Sequence, residues 1–224
     1  TYMSTPLTIN SVETLQEALP IIRASQEAYG TFTQEQVDAI CEKTAMAVSK
    51  MRIPLAKMAC EETGYGIVVD KVTKNQYASE HVWNYMRNKK TCGVISEDKA
   101  YGVKKIASPK GVIAAITPTT NPTSTTIYKI MLALKTRNAV ILSPHPHAVN
   151  YSSGTPAIGV GPGNCNVVID ESADLRMAVE SIIHSKTFDN GMICASEQHI
   201  TVLANVYDEV KRLLKEARCY FLND

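Results

Sequence analysis

The sequence predicts an α/β fold in which a parallel nucleotide-binding sheet, with helices on both faces, follows a helical N-terminal region. Residues 111–116 and 139–142 form two short, continuous apolar runs, as expected for strands that are buried on both faces. Residues 122–137, which lie between these runs, have the periodicity of a helix. The order strand, helix, strand favours a parallel sheet.

The first part of the chain has the pattern of consecutive helices. Residues 11–29 predict a helix that Pro20 could bend. Thr33 is expected to begin a second helix, because Gln36, three residues later, completes a capping box.

Two further helices are predicted before the sheet. Pro54 suits the first turn of a third helix, which should end near Gly64. Residues 70–89 predict a fourth helix, and we expect its Trp83 to pack between helices.

The remaining elements alternate between strand and helix. Residues 101–106 alternate between apolar and polar side chains as a strand does. Strands are also expected at 167–169 and 200–203, and helices at 174–186 and 205–217.

Composition excludes several classes of function. The 224 residues include 45% apolar and 20% charged side chains, as in ordinary soluble domains. A net charge of +1 argues against nucleic acid or an anionic membrane as a partner. No apolar run is long enough to span a bilayer, and no export signal is visible. Six dispersed cysteines without metal-ligand spacing predict reduced thiols, no metal site and a cytoplasmic protein.

Two polar segments could bind a ligand. Residues 116–124 leave a predicted strand and enter a helix, and ligands bind at that edge of open α/β sheets. Taken alone, this segment is more typical of a capped helix start. Residues 159–164 contain three glycines but do not match the dinucleotide motif G-x-G-x-x-G, so a plain turn is the simpler interpretation.

The third segment contains Cys194, which follows the turn-forming pair Asn190 and Gly191. A nucleophilic thiol needs exposure and a lowered pKa, and spacing alone establishes neither. Burial as a small apolar side chain is the alternative for any single cysteine.

Taken together and in this order, the segments resemble the CoA-acylating aldehyde dehydrogenases. The resemblance is strongest to the aldehyde dehydrogenase half of bifunctional aldehyde-alcohol dehydrogenases. It extends from about residue 10 to the end. The sequences that carry it are residues 117–124, 135–138, 143–146, 159–164 and 185–198, with weaker support from 61–64 and 70–75.

The resemblance implies a reaction and a set of site residues. Cys194 would attack an aldehyde to give a thiohemiacetal, hydride would pass to NAD, and coenzyme A would take the acyl group. The side-chain amide of Asn121 and the backbone N–H of Cys194 would stabilise the oxyanion. The expected NAD contacts are Ile116, Thr117, Pro118, Thr119, Thr120, Asn121, Gly161 and, near the adenosine ribose, Ser143 and His145.

The absence of one carboxylate points to acyl-CoA as the product. Hydrolytic aldehyde dehydrogenases have a glutamate at the start of the glycine segment, which activates water. Residues 157–161 contain no carboxylate that could activate water, so the thiol of CoA is the natural acceptor of the acyl group. A hydrolytic aldehyde dehydrogenase is the alternative.

Glu197 is interpreted as a structural carboxylate that holds the cysteine loop rather than as a base. His199 is interpreted as a packing variant at the start of a strand.

The chain departs from the family pattern at two places. A stretch of the nucleotide-binding sheet is missing near residues 148–151, and the remainder of the catalytic domain does not follow residue 224. We therefore expect a helical region and NAD-binding domain at 1–164 and the start of a catalytic domain at 165–224. The family implies a homo-oligomer, with an iron-dependent alcohol dehydrogenase domain as a further fused part. A catalytically incompetent fragment with an assembly role is the alternative.

Overall fold

The computed structural model describes residue 9 and residues 11–144 and 164–222. The first part of the described chain is helical, and its helices confirm the predicted order. They are α1 (Val12–Gly30), α2 (Gln34–Lys50), α3 (Arg52–Thr63), α4 (Val68–Gln76) and α5 (Val82–Met86). A π-helical segment, Tyr77–His81, connects α4 to α5, so the predicted helix at 70–89 is continuous except for this irregular turn. The capping box of α2 is confirmed, because Thr33 and Gln36 each accept a hydrogen bond from the other's backbone N–H.

The larger hydrophobic core lies among these helices and α6 (Pro122–Lys135). Val37 and Cys41 of α2 and Met131 of α6 are completely buried in it. Burial raises the pKa of the Cys41 thiol to about 11, so this cysteine is an inert packing group. Trp83 packs against the same core, as predicted.

The first two strands form an antiparallel hairpin, β1 (Gly93–Asp98) and β2 (Val103–Ala107). Only the second strand was predicted, at 101–106. All six residues of β1 are exposed, so the strand has no buried face that would give it an alternating apolar pattern.

The predicted strand, helix, strand unit is confirmed. Strands β3 (Val112–Thr117) and β4 (Ala139–Pro144) are parallel, and α6 connects them. The expectation that these strands are buried on both faces is wrong for β3, whose Ile113 and Ile116 side chains are 37% and 53% exposed. Among the described residues β3 pairs only with β4, so no further strand or layer covers these side chains.

The family-like segment 135–138 closes the turn between α6 and β4. Arg137, at a left-handed φ of 57°, donates to the carbonyls of Gly30 and Ala107 at 2.6 and 3.1 Å. The side-chain oxygen of Asn138 accepts from the backbone N–H of Gly111 at 2.9 Å. These side chains therefore join α1, the hairpin and the start of β3, which is a structural role.

A second unit follows residue 164. Its parallel strands β5 (Cys165–Ile169) and β6 (Glu197–Val202) are connected by α7 (Leu175–Thr187), and α8 (Tyr207–Glu216) follows. It has a small core of its own, formed by Ile169, Val179, Ile182, Val210 and Leu213. None of the helices in the described ranges is long and apolar enough to cross a membrane.

Candidate active site

The loop between β3 and α6 lies at the carboxyl edge of the parallel strands. Thr117 ends β3 and is buried, with its hydroxyl 3.3 Å from the hydroxyl of Thr126 in α6. Asn121 precedes α6, whose first residue is Pro122, a position where the missing N–H of proline costs nothing. Ile116 is in register with Ser143 of β4, and both side chains are exposed at this edge.

The other predicted cofactor contacts lie in or beyond this loop. Pro118 is exposed, and Thr119 and Thr120 are half-buried. His145 and Gly161 lie outside the residues that the structure describes, as do residues 148–151, where the sequence departs from the family pattern.

Cys194 lies in the turn that leads from α7 into β6. A short 3-10 segment, Phe188–Gly191, precedes it, and three consecutive residues there have positive φ: Asp189 (50°), Asn190 (55°) and Gly191 (76°). Cys194 itself is exposed, so burial does not account for this cysteine. Its carbonyl accepts hydrogen bonds from Gln198 Nε2 at 3.4 Å and Cys165 Sγ at 3.6 Å, contacts that hold the turn against β5 and β6.

A buried carboxylate ties this turn to the N-terminal helices. The Asp189 side chain is completely buried and accepts from the backbone N–H of Ile67 at 2.6 Å, from Lys71 Nζ at 3.2 Å, and from Lys74 Nζ. The backbone N–H of Asp189 donates to Asp70 Oδ2 at 2.9 Å. Hydrogen bonds to both the side chain and the backbone of Asp189 thus hold the left-handed turn in place.

Lys74 hydrogen-bonds both Asn121 and the loop that precedes Cys194. Its ammonium donates to the Asn121 amide oxygen at 2.7 Å and to the carbonyl of Met192 at 3.1 Å, in addition to Asp189. Met192 is two residues before Cys194. Lys71 donates in parallel to the carbonyl of Thr120 at 2.9 Å. The structure therefore connects the Asn121 loop to the Cys194 loop through the lysines of α4.

The charges of this network favour the ion pair. Burial alone would raise the pKa of Asp189, but hydrogen bonds from Lys74, the N–H of Ile67 and Lys71 outweigh it and hold the pKa below its usual value. Burial lowers the pKa of Lys74, and the contact with Asp189 opposes that shift. Because Lys74 faces three hydrogen-bond acceptors, its protonated form is the one that satisfies the site.

Two interpretations from the sequence are corrected here. Glu197 was expected to hold the cysteine loop, but its Oε2 is buried without a hydrogen-bond partner among the described residues. His199 was expected to be a packing residue, but it is exposed, and its Nδ1 lies 3.0 Å from Asn164 Nδ2. Both errors arise because neighbours in sequence do not reveal which face of β6 is covered.

Sequence reasoning assigned no role to Lys71, Lys74 and Asp189. Lys71 and Lys74 are three residues apart in α4, so they share one face of the helix. That spacing is the available signal, but it is common on exposed helices, and only the tertiary contact with Asp189 distinguishes this pair.

The profile of the family described as "Aldehyde dehydrogenase family" matches residues 7–153 and 151–219. The chain belongs to the aldehyde dehydrogenase family. Its α/β architecture agrees with this, because an acetylating aldehyde dehydrogenase from Geobacillus thermoglucosidasius has the same fold with a TM-score of 0.83. The two are 37% identical over 95% of this chain and 60% of that one.

Other relatives carry more specific names. The aldehyde-alcohol dehydrogenase of Clostridium acetobutylicum is 42% identical over 96% of this chain but only 31% of its own length. A propionaldehyde dehydrogenase from Rhodopseudomonas palustris, solved with bound CoA and an acylated cysteine, is 26% identical, with a TM-score of 0.70 over 94% of this chain and 61% of that one. The aldehyde dehydrogenase chain described here thus spans about a third to three fifths of these relatives. The predicted resemblance to the acylating branch is confirmed.

Proposed function

We propose that this chain carries the nucleophile and the oxyanion site of an NAD-dependent, CoA-acylating aldehyde dehydrogenase that interconverts acetaldehyde and acetyl-CoA. The single observation that carries the proposal is the position of Lys74, which hydrogen-bonds both the Asn121 amide and the loop two residues before Cys194. The Cys194 thiol is exposed, and acyl transfer requires an accessible thiol together with a hydrogen-bond donor for the oxyanion.

The chain's own residues account for the covalent steps. Cys194 enters as the thiolate, and its sulfur forms a bond to the aldehyde carbon while the carbonyl electron pair moves to oxygen. Asn121 Nδ2 and the N–H of Cys194 donate to that oxyanion. After oxidation to the thioester, the thiolate of CoA attacks the acyl carbon and the bond to Cys194 breaks, which yields acyl-CoA and the free cysteine thiolate.

The donors are available for this role. An amide nitrogen has two protons, and Thr120 Oγ1, at 3.2 Å, takes one proton of Asn121. The second proton remains for a ligand. Within the described residues no backbone or side-chain group accepts the N–H of Cys194.

The exposed carboxyl edge of the sheet supports the proposal that NAD binds there. Ile116 and Ser143 are exposed side by side at the carboxyl ends of parallel strands, where such ligands bind in open α/β sheets. In this proposal residues 116–121, Ser143, His145 and Gly161 would contact NAD. When bound there, NAD supplies the hydride acceptor that converts the thiohemiacetal into a thioester.

The relatives support the finer parts of the proposal. The cysteine acylated beside CoA in the Rhodopseudomonas palustris structure is the counterpart proposed for Cys194. The relative named aldehyde-alcohol dehydrogenase supports a fused alcohol dehydrogenase domain in the full-length protein, and the iron dependence of that domain is a proposal from the family resemblance. We further propose that residues 1–164 and 165–224 are parts of the NAD-binding and catalytic domains, that a sheet segment is missing near 148–151, and that the whole protein is a cytoplasmic homo-oligomer.

The test is covalent labelling followed by turnover. Purified protein is incubated with acetyl-CoA, and peptide mass spectrometry is used to look for one acetyl group on Cys194, with Cys194→Ser as the control. NADH production from acetaldehyde is then measured with and without CoA. Acetylation at Cys194 and CoA-dependent NADH support the proposal. CoA-independent NADH would instead favour the hydrolytic enzyme. Absence of both NAD binding and acetylation, with assembly retained, would leave only the assembly role.

A further inference from the structure

We propose that Lys74 is a positioning residue, which orients the Asn121 amide and the Cys194 loop so that both oxyanion donors point to the same place. The inference rests on the proposed function, because an oxyanion forms at this site only if Cys194 is the nucleophile. Lys74 belongs to α4 and lies outside both the Asn121 loop and the Cys194 loop. It contacts Asp189, which is 115 positions later in the chain.

The three protons of the Lys74 ammonium are all used by neighbouring acceptors. A lysine ammonium has three protons, and Lys74 has three acceptors: Asp189 Oδ2, Asn121 Oδ1 and the carbonyl of Met192. Every proton is therefore committed, and the side chain is only 11% exposed. Lys74 has no proton left for substrate, so it acts through its partners rather than as an acid or a direct donor.

The contact determines which end of the Asn121 amide faces the site. Only the oxygen of an amide can accept a hydrogen bond from an ammonium, so Lys74 holds Oδ1 on its own side. The nitrogen is left on the opposite side as the donor. Without Lys74 the amide keeps only the hydroxyl of Thr120, which can donate as well as accept and therefore permits a half-turn of the amide. After such a turn the amide oxygen would repel the developing oxyanion.

A second contact of Lys74 positions the loop that contains the other proposed donor, the backbone N–H of Cys194. The Met192 carbonyl that Lys74 binds belongs to the loop that places the N–H of Cys194. Asp189, in turn, anchors Lys74 from the same loop. One side chain thus couples the donor on the β3–α6 loop to the donor on the cysteine loop.

Lys71 provides a matched control within the same cluster. It is buried on the same carboxylate, at 3.2 Å, but its other contact is the backbone carbonyl of Thr120 rather than the Asn121 side chain. Loss of either lysine removes one ammonium from Asp189. Only loss of Lys74 removes the donor that holds the oxygen of the Asn121 amide.

The first experiment is a double-mutant cycle on acetyl-CoA reduction with Lys74→Met, Lys71→Met and Asn121→Ala. Removal of one oxyanion donor lowers kcat about 100- to 1000-fold, and we expect Lys74→Met alone to lower kcat about 10- to 100-fold with little change in KM. Because part of the effect of Lys74 acts through Asn121, Lys74→Met should lower kcat by a clearly smaller factor when Asn121 is already alanine. Lys71→Met should lower kcat by a similar factor in both backgrounds. Equal factors for Lys74→Met in both backgrounds would overturn the proposal.

The second measurement does not depend on turnover. The side-chain amide resonance of Asn121, assigned by its loss in Asn121→Ala, should shift in the nitrogen-15 NMR spectrum of Lys74→Met and stay near its original position in Lys71→Met. An unshifted Asn121 resonance in Lys74→Met would refute the positioning role. If the wild-type protein shows no acylation at Cys194 but the resonance shifts as expected, the proposed function fails while the contact between Lys74 and Asn121 stands.

Discussion

Gly66 and Asp189 approach so closely that a β-carbon on Gly66 would lie 2.2 Å from Asp189 Oδ1. The carboxylate cannot move aside, because Ile67, Lys71 and Lys74 hold it. Gly66 also has a left-handed φ of 79°. The missing side chain of Gly66 therefore lets Asp189 of the cysteine loop pack against the α3–α4 connection.

Gly66→Ala should destabilise the protein far more than Gly64→Ala, which is the matched control. Gly64 has a similar φ of 69°, but a β-carbon there would meet nothing within 4 Å. The left-handed conformation costs an alanine about 1–2 kcal/mol at either position. The clash at Gly66 should add about 1–3 kcal/mol. Urea unfolding measures both, and equal losses would contradict the close approach.

Asp189→Asn should lower the free energy of unfolding at neutral pH by about 3–5 kcal/mol, because it removes the charge that two buried ammonium groups share. The pKa of Asp189 is lowered in the folded state. Its contribution is therefore complete above the unfolded-state pKa of about 4 and is lost as the pH falls through the lower folded value.

The difference in stability between wild type and Asp189→Asn should consequently shrink as the pH falls below about 4. Urea unfolding at a series of pH values checks this. Asp208→Asn, at an exposed position, is the control and should show a small difference at every pH. A gap between wild type and Asp189→Asn that widens in acid would reverse the assigned sign.

Replacement of Asn190 by glycine should destabilise the protein less than replacement by alanine. Its φ of 55° is left-handed, a conformation that asparagine tolerates and alanine resists. Asn190→Ala should therefore lose about 1 kcal/mol of stability, whereas Asn190→Gly should be neutral or slightly stabilising. Thermal unfolding of the two variants distinguishes them, and an alanine as stable as glycine would exclude the left-handed turn.

Lys135→Met should destabilise the helical core by about 2–4 kcal/mol. The side chain of Lys135 is 2% exposed, and its ammonium pairs with Asp38 and lies 5.7 Å from the centre of the Trp83 ring. Its loss leaves Asp38 without a cation, although this carboxylate is 28% exposed and can reach water, which reduces the penalty for breaking a buried pair.

Lys104→Met is the control for Lys135→Met, because Lys104 pairs with Glu97 on the exposed hairpin, with the side chains 56% and 42% exposed. Its effect on the free energy of unfolding should stay within about 0.5 kcal/mol. Chemical denaturation compares the two variants. A similar loss in both would mean that the contacts of Lys135 contribute no more than a surface pair.

The elements that sequence reasoning predicted are those with a strong local signal. The capping box at Thr33 and Gln36 acts within one helical turn, so residue spacing reveals it. The order of β3, α6 and β4 follows from apolar runs that alternate with a helical period. β1 was missed because a fully exposed strand has no apolar face. The exposure of Ile113 and Ile116 was missed because an apolar run does not reveal which layers cover it.

For the candidate site, the sequence by itself determined the family, the cysteine loop and the loop that begins at Thr117, because these are contiguous motifs whose chemistry can be compared residue by residue. Only the tertiary structure decided that Lys74 meets Asp189 and Asn121, residues 115 and 47 positions away. The reason is physical: periodicity and spacing encode contacts within a few residues. The direction of a buried hydrogen bond depends on how whole elements pack, and so does the end of the Asn121 amide that Lys74 binds.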